Sequence, residues 1–491
     1  MRLGWLDWSV IALYAAAVLS LGRLASRGHT TAEDLLVAGR SMATWAVLAS
    51  MVATELSAAT FLGVPEAAYS GTWSYLELAF GALLGKLALS RRVIPLYHRL
   101  GVVSVYQLLE DRFGGHAQRT AAGCFLAGRL MASGVRLFIA ALAFSIVTGT
   151  SVPVAILGCG VVAGIYTRAG GLRSVIWTDV LQALVFLAGA TALLVAAVAS
   201  VDGGLGAIWE WASLHGRGEV FTFAPLFSLT DTRGFGTALV GGFFLTLATH
   251  GTDQDMVQRL LAARGGRQGG LALSGSALLN FPLTALFLAV GTAIAASHAL
   301  APPAYEMADS ARVVPTFALH ALPPGMRGLV FAGLFAAAMS SLDSAICAIA
   351  TTWSVDLARE PATGDRLAAR TRRAAVFSTG GLILSALAMA SYHSALAEGP
   401  GPSLVEFALS AMTILYGGLL GVFSIAVLAP TLGNQRSAVA GLATGAVAGL
   451  CLFLHPVVLG ETWLAWTWWI PLSATAAAAV TCCGRAPARM G

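Results

Sequence analysis

Apolar residues run along this chain in long blocks, not in the alternation of a strand or the single stripe of a surface helix. Thirteen blocks are long enough to cross roughly 30 Å of hydrocarbon. They lie near residues 5–24, 42–63, 70–96, 119–148, 151–168, 173–199, 236–258, 270–297, 326–357, 374–395, 403–429, 436–454 and 463–483. Most connections are short. The longer ones are 200–235 and 298–325 on one side and 97–118 and 358–373 on the other. Within the first, "GLGAIWEWASLHG" has the pattern of a short amphipathic helix. The tryptophans of "ETWLAWTWWIP" fit an interfacial aromatic belt. The pattern predicts an all-α polytopic membrane protein.

Three blocks carry polar interruptions. "ASMVATELSAATFLGVPEAAYSG" places Thr54, Glu55, Ser57 and Thr60 midway, followed by Gly63 and Pro65. "FFLTLATHGTDQDMVQRLLAARGG" runs Thr246, Thr249, His250, Gly251, Thr252 and Asp253 close together. "LFAAAMSSLDSAICAIATTWSVDL" sets Ser340, Ser341, Asp343 and Ser344 among alanines. The first two are spans two and seven, five apart, and interrupted segments at matching positions of two halves point to a midplane site. Unwound backbone at that depth is tolerated only where it lines a cavity or an ion site.

At 3.6 residues per turn, Ala337, Ser340, Ser341 and Ser344 share one side of their helix, with Asp343 at its edge. Neutral hydroxyls and backbone carbonyls suit a small hard cation without a large desolvation cost. The serines cannot complete such a shell alone, and the unwound "ATELS" segment supplies the missing carbonyls. A lone membrane serine ordinarily bonds back to the carbonyl four residues earlier. Three serines around an aspartate, facing two broken spans, favour the ion site.

The composition agrees: 57% hydrophobic, 11% charged and mean hydropathy +0.77. The net charge of +5 does not announce a nucleic-acid partner. With the N-terminus outside, 22 of the 29 Lys and Arg fall on the inner side, including Arg366, Arg370, Arg372 and Arg373. The outer side has Arg2, Arg217, Arg233, Arg312 and Arg327, and Arg129 and Arg136 lie inside an apolar block. This positive-inside pattern gives N-out and C-in for thirteen spans. The six cysteines lie in or beside apolar spans without metal-ligand spacing and imply no disulfide framework. Asp7 before the first apolar run, and "RLASRG" after it, argue for an uncleaved first span rather than a signal peptide.

"GTDQDMVQRLLAAR", "GGLRSVIWTDVLQ" and "AAAMSSLDSA" resemble signatures of the sodium/solute symporter family, which includes sodium–glucose, sodium–proline, sodium–iodide and sodium–sialic acid transporters. "SAATFLGVPEAAYSG" followed by "VYQLLEDRFG" is similar to the start of that family's core, and the resemblance runs from about residue 5 to 480. It implies a LeuT-type fold of two inverted five-helix repeats and sodium-driven alternating access in the plasma membrane. The chain then divides into an extra helix and inner loop (1–41), a first repeat (42–199), an outer loop (200–235), a second repeat (236–429) and two terminal helices with a short tail (430–491).

Carried over motif by motif, the main Na+ site consists of carbonyls of Ala53, Leu56 and Ala337 with the hydroxyls of Ser340 and Ser341. A second cation site in some members maps onto Asp179, Ser340, Asp343 and Ser344. Here Asp343 is a carboxylate where some relatives have a hydroxyl. Two carboxylates together favour a second cation, a retained proton or a structural ion pair.

The solute is less legible. Arg129 and Arg136 sit seven apart on one helix face. An intramembrane arginine is a functional candidate, and its planar fork suits a carboxylate. The alternative for both is structural pairing with Glu55, Glu77 or Asp179, or snorkelling toward an interface, and for Arg136 that alternative is favoured. Glu55 stands where sugar-carrying relatives have an amide and receives an ammonium or neutralises Arg129. Thr54, Thr60 and Thr246 fall near the solute segment, and Thr249–His250 replaces the aromatic gate of sugar carriers. The preferred solute is therefore a small carboxylate or amino acid. His250 is also a candidate proton-sensitive gate. Asp253, Asp255 and Arg259 form a charge network governing the inner opening, and Gly417, Gly418 and Gly421 serve helix packing.

The rival classes are weaker. A channel needs a continuous polar stripe, whereas these polar residues cluster at one depth. A Ser341–His250–Asp343 triad lacks a nucleophile-elbow context, so no enzyme is expected. Proton-coupled symport and a solute sensor that binds without transporting remain as alternatives. The expected partners are a small-molecule solute and the lipid bilayer, with no obligate protein partner implied.

Overall fold

The computed structural model describes residues 3–485 apart from 27–31, 168–170, 233, 304, 306–311, 359–363 and 397–403. Arg2 and Arg233, assigned above to the outer side, lie outside these residues. In chain order the helices are α1 (Trp5–Ser26), α2 (Ala32–Val37), α3 (Thr44–Glu55), α4 (Ala58–Ser70), α5 (Tyr75–Leu100), α6 (Gln107–Phe113), α7 (Gly115–Thr148), α8 (Val152–Thr167), α9 (Leu172–Ala199) and α10 (Gly204–Leu214). They continue as α11 (Phe235–Gly251), α12 (Gln254–Leu261), α13 (Gly266–Leu300), α14 (Val313–Ala321), α15 (Met326–Thr352), α16 (Gly364–Leu396), α17 (Leu404–Leu428), α18 (Gln435–Leu459) and α19 (Trp469–Cys482). A π turn, Trp353–Leu357, extends α15.

Each apolar block carries helix, and the second and seventh are split into α3–α4 and α11–α12. Among the described residues, α1, α7, α9, α13, α15, α16, α17 and α18 are each long and apolar enough to cross a membrane, as is the bent pair α3–α4. Two boundaries differ from the apolar pattern. α4 runs on to Ser70 because Pro65 is accommodated inside the helix. α16 begins ten residues before 374 because its arginine-rich first turns are helical despite their charge.

The two breaks have local causes. Leu56 leaves the helix at ψ 88° and Ser57 is extended, so α4 departs from α3 at 59°. In the other span Asp253 adopts an extended conformation and caps α12, accepting from the Asp255 NH at 2.8 Å. The breaks are tied together near one end, where the Met42 NH donates to the Ala262 carbonyl at 3.0 Å.

Burial sorts the long helices into centre and rim. In α15, 83% of the most apolar window is buried, against 28% in α16 and 11% in α1. The serine helix is therefore central and packs against α9, α7, α3 and α4. Asp7 of α1 holds its start, accepting from the Gly325 and Gly328 NH groups at 2.7 and 3.0 Å. Such a cap is worth about 0.5–2 kcal/mol. Glycine permits a close crossing between α5 and α11: a Cβ on Gly81 would meet the Leu239 carbonyl, and one on Gly242 the Leu78 carbonyl. Gly417 and Gly421 similarly face α19, and Gly418 faces α18.

Candidate ion and solute sites

The first site lies where α15 passes the α3–α4 break. Ser340, Ser341, Asp343 and Ser344 are all buried. Ser340 Oγ donates to Asp179 Oδ1 of α9 at 2.6 Å, and Ser344 Oγ to the Ser341 carbonyl at 3.0 Å. Ser341 Oγ is buried with no hydrogen-bond partner among the described residues. At the end of α3, the NH that would close a further turn onto Ala53, that of Ser57, is 3.4 Å from Thr60 Oγ1 instead. α4 takes its own first bond from Phe61 to the Ser57 carbonyl. The carbonyls of Ala53 and Leu56 thus stand at a helix end, where they lack intrahelical donors. An orphaned hydroxyl on α15 and freed carbonyls on the break that packs against it together form a candidate donor set for a small monovalent cation.

A buried charge network adjoins this site. Arg259 of α12 donates to Asp179 Oδ2 at 3.2 Å, Ser50 Oγ at 3.0 Å and Asp255 Oδ1 at 2.5 Å. Ser50 Oγ in turn donates to Asp179 Oδ2 at 2.5 Å. Arg129 of α7 pairs with Asp253 at 3.2 Å and with Asp255, and Tyr416 of α17 donates to Asp253. Ser344 Oγ is 3.3 Å from Asp255 Oδ2, which joins the network to the serine helix. Six helices meet here through groups that would each be costly to bury alone.

The second site is a cavity of about 150 Å³ between the α3–α4 break, α5, α7, α11, α13 and α17. Glu55, Thr60, Lys86, Arg136, Thr246, Thr249 and His250 line it, with Asn280 and Thr284. The acid is already matched: Lys86 Nζ lies 2.6 Å from Glu55 Oε2 and 3.1 Å from Ser276 Oγ. His250 Nε2 is 3.2 Å from Glu55 Oε1, and its Nδ1 is 2.9 Å from Thr249 Oγ1. The cation opposite is not matched. Arg136 is buried, no carboxylate among the described residues pairs with it, and its Nη1 has no hydrogen-bond partner there. Its Nη2 reaches only the Met412 sulfur at 3.8 Å.

A model of the sodium:solute symporter family matches residues 35–445. The chain belongs to that family. It is 33% identical to the sodium-dependent multivitamin transporter of Oryctolagus cuniculus, covering 92% of this chain and 71% of that one. It is 29% identical to the sodium-coupled monocarboxylate transporter 1 of Xenopus laevis, covering 90% and 70%. The solved structure of a substrate-bound, outward-open Na+-coupled sialic acid symporter superposes with a TM-score of 0.85 at 23% identity, covering 98% of this chain and 97% of that one. The sodium:solute symporter reading of the sequence holds, and with it the LeuT-like fold. This family member is a multi-pass, sodium-coupled transporter and not an enzyme.

Ala53, Leu56, Ala337, Ser340 and Ser341 are carried by the α3–α4 break and by α15, helices that pack together. Glu55, Thr60, Thr246, Thr249 and His250 line the cavity; Thr54 does not, its hydroxyl bonding back to the Ser50 carbonyl at 2.9 Å. The two α7 arginines lie opposite to the expected emphasis. Arg129 is absent from the cavity and pairs with Asp253 and Asp255 rather than Glu55, Glu77 or Asp179. Arg136, expected to pair with one of those acids or to snorkel, lines the cavity. Asp253, Asp255 and Arg259 do lie in one network. No Ser341–His250–Asp343 triad forms, because His250 is engaged by Glu55 and Thr249.

Lys86 was missed. It is the chain's single lysine and was counted to the inner side, although it lies inside the 70–96 block. The rule that singled out Arg129 applied to it equally. Ser50 and Tyr416 carried no such signal, being ordinary residues of apolar helices.

Proposed function

We propose that the protein imports a small carboxylate-bearing solute, a monocarboxylate or an amino acid, together with sodium by alternating access across the plasma membrane. The observation that carries this is Arg136, a buried guanidinium without a carboxylate partner on the wall of a cavity whose own acid is already paired. A bound carboxylate completes the set with a bidentate contact. The volume supports a small solute, since an engineered cavity of about 150 Å³ takes a molecule the size of benzene. A monocarboxylate transporter among the relatives is consistent with the same class.

Sodium sits on Ser340, Ser341 and the carbonyls of Ala53, Leu56 and Ala337. Binding there orders the break that also carries Glu55 and Thr60 into the cavity, which couples ion to solute; each raises the other's affinity equally. Each sodium entering adds roughly 2.3 kcal/mol per 100 mV to its concentration term. At Asp179, Arg259 serves as resident counter-cation, which favours one sodium over two. The topology is thirteen spans with the N-terminus outside, residues 42–199 and 236–429 forming the inverted repeats. Asp253, Asp255, Arg259 and Arg129 close the inner side.

The test is uptake into liposomes under an imposed inward sodium gradient, using labelled pyruvate, proline, pantothenate, sialic acid and galactose. Pyruvate or proline accumulates, the neutral sugar does not, and Ser341→Ala weakens sodium activation of uptake about 10-fold. Accumulation driven by a proton gradient without sodium, or of galactose in preference, contradicts the proposal.

A further inference from the structure

A groove of about 630 Å³ lies between α7, α15 and α16, away from the ion site and the solute cavity. One end is basic. Arg366, Arg370 and Arg373 line it from the first turns of α16, and at these spacings they share a helix face. That face continues into Phe377 and Gly381, four and eight residues beyond Arg373, so charge gives way to hydrocarbon along one helix. Leu130 of α7 and Trp353 at the end of α15 form the opposite wall. Phe377 is 80% and Trp353 50% exposed, so the apolar part opens outward rather than into the core. Arg366 and Arg373 are exposed, and neither has a carboxylate partner among the described residues.

We propose that this groove holds one anionic phospholipid, its phosphate on Arg366 and Arg373 and an acyl chain along Phe377 and Trp353. The assignment to the inner leaflet rests on the orientation given under the proposed function; the binding chemistry does not. Charge and apolarity select the same occupant. A soluble phosphate would leave the apolar wall bare, and a zwitterionic lipid would bring no net charge to the arginines. The groove touches the sodium helix at Trp353, twelve residues beyond Ser341. The lipid therefore braces α15 against α7 and α16.

The experiment uses the full chain purified in a mild detergent, titrated with phosphatidylglycerol, with phosphatidylcholine of the same acyl chains, or with glycerol 3-phosphate. Bound lipid is read by native mass spectrometry and stability by thermal unfolding. Phosphatidylglycerol is retained as a one-lipid adduct and raises Tm; the other two do neither. Arg366→Gln with Arg373→Gln weakens apparent binding roughly 10- to 30-fold, whereas Arg91→Gln with Arg92→Gln, exposed and outside the groove, leaves it unchanged. An equal response to phosphatidylcholine, a full response to glycerol 3-phosphate, or unaltered binding in the groove variant would each overturn the proposal. Binding is read without transport, so a failure here is separate from a failure of sodium-driven uptake.

Discussion

Arg129 and Arg136 lie two turns apart on α7, and the structure treats them in opposite ways. Arg129 is enclosed by Asp253 and Asp255, with Tyr416 and Arg259 completing the network. Arg136 faces a cavity whose carboxylate, Glu55, belongs to Lys86. One guanidinium is matched by the protein and the other is left to be matched by something else. Burial alone therefore does not mark a recognition residue. A buried charge with no carboxylate partner among the described residues, facing a cavity, is the better candidate.

The largest effect should follow from breaking the matched side. Arg129→Ala leaves buried Asp253 without a guanidinium and Asp255 with Arg259 alone, and should cost about 3–5 kcal/mol of stability, read as a drop in Tm of the purified protein. Arg136→Ala removes an unpaired charge and should lower Tm far less, while raising the KM for a carboxylate solute by about 100-fold or more. Equal losses of stability in the two variants would erase the distinction. Next in size is Ser341→Ala. Removing one oxygen from the ion shell should weaken sodium activation of uptake about 10-fold with Tm nearly unchanged.

The cavity pair gives a finer test. Lys86→Met leaves Glu55 with only His250 and the Ser276 hydroxyl and should cost about 1–3 kcal/mol. Adding Glu55→Gln should recover much of that stability, because the uncompensated acid is then gone. The smallest effect is Tyr416→Phe, which removes one hydrogen bond to Asp253 while leaving the Arg129 pair, for about 0.5–1.5 kcal/mol. A larger loss there would mean that the tyrosine, rather than Arg129, holds the network.

Much of the architecture was legible because lipid imposes it. Apolar length gave the helices, and polar residues at membrane depth marked both broken spans and the serine helix. The partners of the charges were not legible. Asp253 caps α12 and meets Arg129 only because the chain breaks at Thr252, a tertiary outcome that helical spacing does not contain. Assigning Glu55 to Lys86 required the packing of both α3 and α5 against α13. Once Glu55 and the α12 aspartates had other partners, the roles of Arg129 and Arg136 exchanged.

The most direct test compares a labelled small carboxylate with its uncharged amide in sodium-driven uptake by wild type and Arg136→Gln. Wild type should take up the carboxylate with a clear preference, and the variant should lose that preference while still responding to sodium. An unchanged preference in Arg136→Gln would contradict the assignment of the unmatched arginine to the solute.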